Sequence, residues 1–314
     1  MIVFDFFKCD QNELLNSLCT YFDLDVTHTK EYLDKCDWRN INAVDLIKYL
    51  DINLANYEDK EAYCVGKHLT TTTQAGIDCF RQNGVYNLAQ MLCHKNDLSC
   101  LLATNNISID YDNKNIEING NTYTLDFDSD KCRSCLRGNG KVCGSFLSCK
   151  FKKELNALRL KLYDYSATTE FFISGNIDEI TRYSTVAKHP EIIYTLDELL
   201  YALNNEQRSS MATQWEKEHP ICIVIKFIVN IASMETYNPC DDSAWFREYG
   251  ECIEKSGFSS DDFYMGQIPK KVFDNFFIID KFVSFYPFGS SEDYGSLLPD
   301  LYIHPSQISE ITQI

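Results

Sequence analysis

The sequence predicts an α+β fold, on three observations. Apolar residues recur at helical spacing over residues 10–54, where Leu14, Leu15, Leu18 and Phe22 form one stripe and Val44, Ile47 and Leu50 another. In NIEINGNTYTLDF, 115–127, Asn119-Gly120 supplies the two positive φ values of a type I′ turn between alternating runs, which predicts a hairpin. Beyond the hairpin, helical and strand-like stretches alternate to the C-terminus. At 314 residues, with 45% hydrophobic and 13% aromatic content and only 13 Gly and 7 Pro, the chain has material for a sizeable core. The expected division is a helical N-terminal segment at 1–58, followed by an α+β core at 59–314 that carries the hairpin and a four-cysteine insertion at about 115–153.

The elements follow in order. Ala62 to Leu69 reads as a short strand, and TTTTQAGIDCFRQNG after it as a helix that a Thr caps and Gly84 ends. A helix is expected at 151–163, a strand at 170–174, helices at 195–204 and 208–217, and a strong strand at 221–230. The acidic run at 240–257 reads as a helix over 243–256 that turns Trp245, Phe246 and Cys252 inward and stops at Gly257. FYMGQIPKKVFDNFFIIDKFVSFYPF, 263–288, reads as strand-rich, and SQISEITQI, 306–314, as a short closing helix.

Charge and missing motifs narrow the function. A net charge of -17 argues against binding along an extended duplex. No stretch approaches the roughly 20 apolar residues of a membrane span. MIVFDFFKCDQNELL has neither a basic n-region nor a cleavage site, so the expectation is a cytoplasmic protein. There the 14 cysteines should be free thiols or metal ligands. Ten of them, Cys9, Cys19, Cys36, Cys64, Cys79, Cys93, Cys100, Cys222, Cys240 and Cys252, are widely spaced and read as small buried hydrophobes. A phosphate-binding Gly loop, a nucleophile elbow and an H-E-x-x-H helix are all absent from the sequence.

CRSCLRGNGKVCGSFLSC, 132–149, is different. Cys132, Cys135, Cys143 and Cys149 form C-x2-C-x7-C-x5-C, and Gly138, Gly140 and Gly144 allow tight turns between them. Four thiolates suit tetrahedral Zn2+, and a closed site would supply folding energy to a segment with only Leu136, Val142, Phe146 and Leu147 as apolar residues. Unconnected thiols or a disulfide pair are the alternatives. Lys131, Arg133, Arg137, Lys141, Lys150, Lys152 and Lys153, with no acidic residue among them, give this segment a local charge of +7. That charge fits either a short or single-stranded nucleic acid or docking on the chain's own acidic surface.

The remaining constellation is YCVGKHLTTTTQAGIDCFRQNG, 63–84. His68 and Thr70 lie two residues apart on a strand that leads into a helix, a placement suited to hydrogen bonding a ribose. This stretch resembles the first motif of ADP-ribosyltransferases, in particular their bacterial toxin and defence branch. The resemblance implies that His68 and Thr70 hold the ribose of NAD+. It implies an aromatic packed on the nicotinamide, matched by Phe171, Phe172 or Tyr183 with Phe172 preferred. It also implies a carboxylate that activates the acceptor or stabilises the oxocarbenium ion. SSDDFYMGQIPKKVF is similar to the strand and turn that carry that carboxylate, and Asp262 stands where the family has Glu, with Gly266, Ile268, Pro269 and Val272 following in fitting order. A rival placement is Asp300 in LLPDLYIHPSQISEI. The implied activity is transfer of ADP-ribose from NAD+ to a nucleic acid or protein acceptor. The alternative is a non-catalytic acidic interaction protein, an inhibitor or phage-defence component whose negative surface meets a basic partner.

Overall fold

The computed structural model describes residues 1–8, 10–36, 42–125, 149–163, 168–178, 181, 187–204, 211–236, 250–286 and 292–314. They form an α+β protein in two compact units, each gathered from segments distant in sequence. The first unit takes in Met1–His68, Glu170–Ile177 and Lys226–Leu297, and the second Leu69–Thr169, Asp178–Ile225 and Leu298–Ile314. The helical segment 1–58 is thus one part of the first unit.

That unit begins with β1 (Ile2–Phe4), followed by α1 (Gln11–Phe22), α2 (Val26–Lys35) and α3 (Ala43–Tyr49). Each helix starts at a short polar side chain that accepts orphan backbone N–H groups: Asp10 for α1, Asp25 for α2 and Asn42 for α3. Helix α1 ends on Asp23, which takes the left-handed conformation at φ 54°. Its stripe of Leu14, Leu15, Leu18, Cys19, Tyr21 and Phe22 is buried, as the periodicity predicts. Strand β2 (Ala62–Thr72) follows, longer than expected. Strand β1, too short to leave a periodic signal, pairs with it in parallel at Ile2–Ala62, Val3–Tyr63 and Phe4–Cys64. Strands β6 (Glu170–Ser174), β7 (Ile221–Asn230) and β8 (Asp293–Ser296) join the sheet in the order β8-β6-β2-β7, of which Leu69–Thr72 of β2 and Ile221–Ile225 of β7 are counted with the second unit.

Two further helices of this unit, α10 (Ser260–Tyr264) and α11 (Lys270–Phe285), replace the strand-rich stretch read from 263–288. The aromatic and β-branched residues of VFDNFFIIDKFVSF favour strands in isolation. Their apolar run nevertheless exceeds an ordinary strand, and the helix is buried nearly all round, from Val272 to Phe285. Asn275 is 0% exposed within it. Its Oδ1 accepts from the Tyr21 hydroxyl at 2.7 Å, and its Nδ2 donates to the Leu54 carbonyl at 2.6 Å. Asp274 beside it accepts from Thr236 at 2.6 Å and pairs with Lys270 at 2.5 Å.

The second unit contains the end of β2, then α4 (Gln74–Asn83), α5 (Leu88–Leu92), α6 (Asp97–Thr104) and a three-stranded sheet of β3 (Ile107–Asp110), β4 (Asn115–Ile118) and β5 (Asn121–Thr124). Thr73 caps α4 and Gly84 closes it, both as predicted. The hairpin turn holds φ values of 51° at Asn119 and 78° at Gly120, with Ile118 paired to Asn121. Helices α7 (Lys150–Tyr163), α8 (Glu191–Asn204) and α9 (Met211–Glu218) pack with that sheet around Leu155, Leu158, Leu162, Ile193, Leu196 and Trp215. The chain ends in β9 (Ile308–Gln313), paired with β7, where a short helix is expected. The segment is too short for its periodicity to decide, and pairing with a neighbouring strand makes it extended.

Residues 250–255 are helical and Gly257 takes φ 91°, while Trp245 and Phe246 lie outside the described residues. Cys19, Cys64 and Cys252 are buried and Cys36 and Cys222 half-buried, whereas Cys79, Cys93 and Cys100 are exposed, contrary to their reading as core residues. Cys9 and Cys240 lie outside the described residues. Among the described residues, no helix is long and apolar enough to cross a membrane.

Replacing Asn275 by Ala should cost at least about 2 kcal/mol of stability, because a buried hydroxyl and a buried carbonyl each lose a partner at about 1–3 kcal/mol. Urea unfolding followed by circular dichroism checks the value.

Candidate functional site

His68 sits on β2 in the first unit, half-buried. Its Nδ1 lies 3.1 Å from the Glu170 carbonyl. A carbonyl oxygen can only accept, so Nδ1 carries the proton and Nε2 is left with its lone pair. Burial holds the imidazole below its ordinary value of 6.5, with the Glu170 carbonyl opposing that shift. The neutral ring therefore presents Nε2 as an acceptor. Thr70, two residues along the strand, is half-buried and falls in the second unit.

Strand alternation sorts the aromatic candidates. Lys67 and Phe172 are directly opposed across the antiparallel β2–β6 pair, so their side chains share one face of the sheet. His68, the next residue, faces the other way. Phe172 is thereby removed from the imidazole's side, and its ring packs against Tyr294 at 4.7 Å between centroids. Phe171 shares the face of His68, but it is buried against Phe227 at 5.1 Å. Both rings press on Gly66: a Cβ there would stand 2.4 Å from Phe227 and 2.8 Å from Phe171. Tyr183 lies outside the described residues.

Asp262 does not occupy a strand. It is the third residue of α10, and its Oδ2 accepts from the backbone N–H and the hydroxyl of Ser259, both at 2.7 Å, closing a capping box. Those two donors hold its carboxyl below the usual range. The S-S-D-D run carries this alternative signature, Ser followed three residues later by an acid. Asp300, the rival, takes φ 67° in a turn whose carbonyl accepts from Gln90 at 3.0 Å.

Cys132, Cys135 and Cys143 lie outside the described residues. Cys149 is half-buried, and its carbonyl accepts from Lys153 in the first turn of α7. Among the described residues, no group of three or more His, Cys, Asp and Glu side chains is arranged to hold a metal. Two members of the basic segment differ in burial: Lys150 is exposed, pairs with Glu198 at 2.7 Å and lies over the Tyr201 ring, whereas Lys152 is 1% exposed.

One polar array in the second unit escaped the sequence reading. His219 is buried, stacks on Trp215 at 3.7 Å, and places Nε2 at 3.1 Å from Asp97 and Nδ1 at 3.2 Å from the Trp215 carbonyl. Trp215 Nε1 donates to Thr71 at 2.8 Å. The spacing of Trp215 and His219, four apart at a helix end, was the available signal. Compared with protein-family models, with curated proteins and with solved structures, the chain matches none.

Because His68 binds protons less readily when folded, the unfolded chain takes up more protons as pH falls below about 6.5, and this site's contribution to stability declines in the same direction. His68→Gln should remove that part of the acid sensitivity between roughly pH 7 and 5, read as a flatter dependence of urea midpoint on pH.

Proposed function

We propose that this protein is ADP-ribosyltransferase-like and engages NAD+ through His68, toward a nucleic acid or protein acceptor. The carrying observation is the orientation of the imidazole by Glu170 on a strand that runs into a Thr-capped helix and a Gly turn. In this reading Nε2 accepts a hydrogen bond from a ribose hydroxyl, since Nδ1 donates to the Glu170 carbonyl. Thr70 remains the second ribose candidate. Phe172 for the nicotinamide and Asp262 as the carboxylate belong to the same reading with less support, since the one faces away from His68 and the other caps its own helix. Calorimetry should detect NAD+ binding, weakened roughly fivefold by His68→Ala, the worth of about 1 kcal/mol for one neutral hydrogen bond. Absence of binding to the wild type at millimolar NAD+ would overturn this reading.

A second reading, a non-catalytic acidic interaction protein, is favoured by where the charge lies. The first unit holds 26 acidic and 13 basic residues, against 20 and 16 in the second. Such a surface attracts a basic protein and repels phosphate. An inhibitor or phage-defence component fits this description. Within the basic segment, Lys131, Arg133, Arg137, Lys141, Lys150 and Lys153 are the candidates for a short single-stranded nucleic acid.

The four-cysteine segment fits one structural Zn2+, because its donor set is four thiolates and Cys149 stands at the start of α7, where a closed site would tie down the helix. Elemental analysis of protein purified without chelator should find one equivalent of zinc, reduced by Cys149→Ser. Metal-free wild-type protein would refute the assignment.

A further inference from the structure

We propose that α9 of the second unit is held by a proton-dependent latch, formed by His219 and His189, that is closed while their rings are protonated and opens as pH rises. Both histidines are buried, and in each ring both nitrogens face an acceptor. His219 directs Nε2 at Asp97 Oδ2, 3.1 Å away, and Nδ1 at the Trp215 carbonyl, 3.2 Å away. His189 places Nδ1 at 3.3 Å from the Pro190 carbonyl and Nε2 at 4.0 Å from Glu216 Oε1. Carbonyls and ionised carboxylates only accept. A neutral imidazole has one N–H and can serve one of its two acceptors, whereas an imidazolium serves both.

Both rings bear on one short helix. Trp215 and Glu216 are consecutive residues of α9, His219 directly follows its last residue, and Asp97 is the first residue of α6. His219 thus ties the end of α9 to the start of α6, while His189 ties Glu216 to the chain just ahead of α8. Thr71 links the two histidines: its hydroxyl accepts from Trp215 Nε1 at 2.8 Å and donates to the Lys188 carbonyl at 3.3 Å. A cation at His219 also faces the partial negative charge of the helix's last carbonyls. The charged and titratable groups around the latch come from every element it touches. Asp97 faces His219 from α6, with the exposed Cys100 one turn further on. On α9, Lys217 and Glu218 precede His219, and Glu218 accepts from Gln214 at 3.1 Å. Glu216 faces His189, which Lys188 precedes; Thr71 on β2 brings no charge. When a ring loses its proton, one acceptor must go without a donor. The carbonyls are fixed in the main chain, but the Asp97 and Glu216 side chains are half-exposed and can turn to water. Those two contacts are therefore the ones released.

The latch operates independently of NAD+ and of any partner for the acidic surface. Hydrogen exchange of the whole chain, read by mass spectrometry on the peptide 211–219 and corrected for intrinsic rates, tests it between roughly pH 5.5 and 8, where histidine changes charge. Protection of this peptide should fall about fivefold toward pH 8, the scale of one lost hydrogen bond. Helix α1 in the first unit should not share the fall. His68 cannot mimic it, because that ring's contribution to stability declines in the opposite direction, as pH drops. His189→Gln combined with His219→Gln should flatten the profile. Asp97→Asn combined with Glu216→Gln should flatten it too, and this pair alters only half-exposed carboxylates, leaving the buried rings in place. Equal protection of the wild type at both pH values would overturn the latch, as would a pH-dependent loss that survives in the carboxylate variant.

Discussion

Asn275 is wholly enclosed on a helix whose other buried side chains are nearly all apolar, so its amide must find its partners inside the protein. Tyr21 on α1 and the Leu54 carbonyl ahead of β2 are those partners. Apolar contact alone would let α11 slide or rotate against the N-terminal helices at little cost, since one Phe or Ile substitutes for another. A buried amide does not allow this, because any shift strands a donor and an acceptor together. The bonds of Asp274 to Thr236 and Lys270 extend the constraint to the chain just after β7. The first unit is assembled from three separate stretches of sequence, and these side chains fix the register of two of them, Met1–His68 and Lys226–Leu297.

The same logic governs β2. A strand presents successive side chains to opposite faces, so one paired register, Lys67 opposite Phe172, determines what can meet the His68 imidazole. It excludes Phe172 and brings in Phe171, which is already committed to Phe227 over Gly66. The histidine owes its tautomer to a main-chain carbonyl, not to a side chain. A residue's chemistry at this position is thus set by groups that carry no identity in the sequence.

In the second unit the balance differs. Its core is an ordinary apolar one between a small sheet and α7–α9, and the polar groups near the end of β2 are satisfied in a chain from Thr71 through Trp215 and His219 to Asp97. Lys152, at the start of α7, is enclosed in that packing, while Lys150 stays exposed and pairs with Glu198.

Local signals account for what was legible in the sequence. The α1 stripe, the Asn119-Gly120 turn, the Thr73 cap and the Gly84 stop each depend on residues within a few positions of one another, and each stands in the structure where the sequence places it. Elements whose state is decided by a distant partner were not legible. Helix α11 is written in residues that favour strands, and burial on all sides makes it helical; β1 and β9 exist only because β2 and β7 offer them a ladder. The candidate site divides along the same line. His68 was placed on a strand by its own tripeptide and the helix after it, though β2 runs on to Thr72; Asp262 satisfies a capping pattern as well as a catalytic one, and two residues of β6 differ only in which face they meet. Spacing along a chain names the residue types available for chemistry; only the register between strands decides which of them share a side.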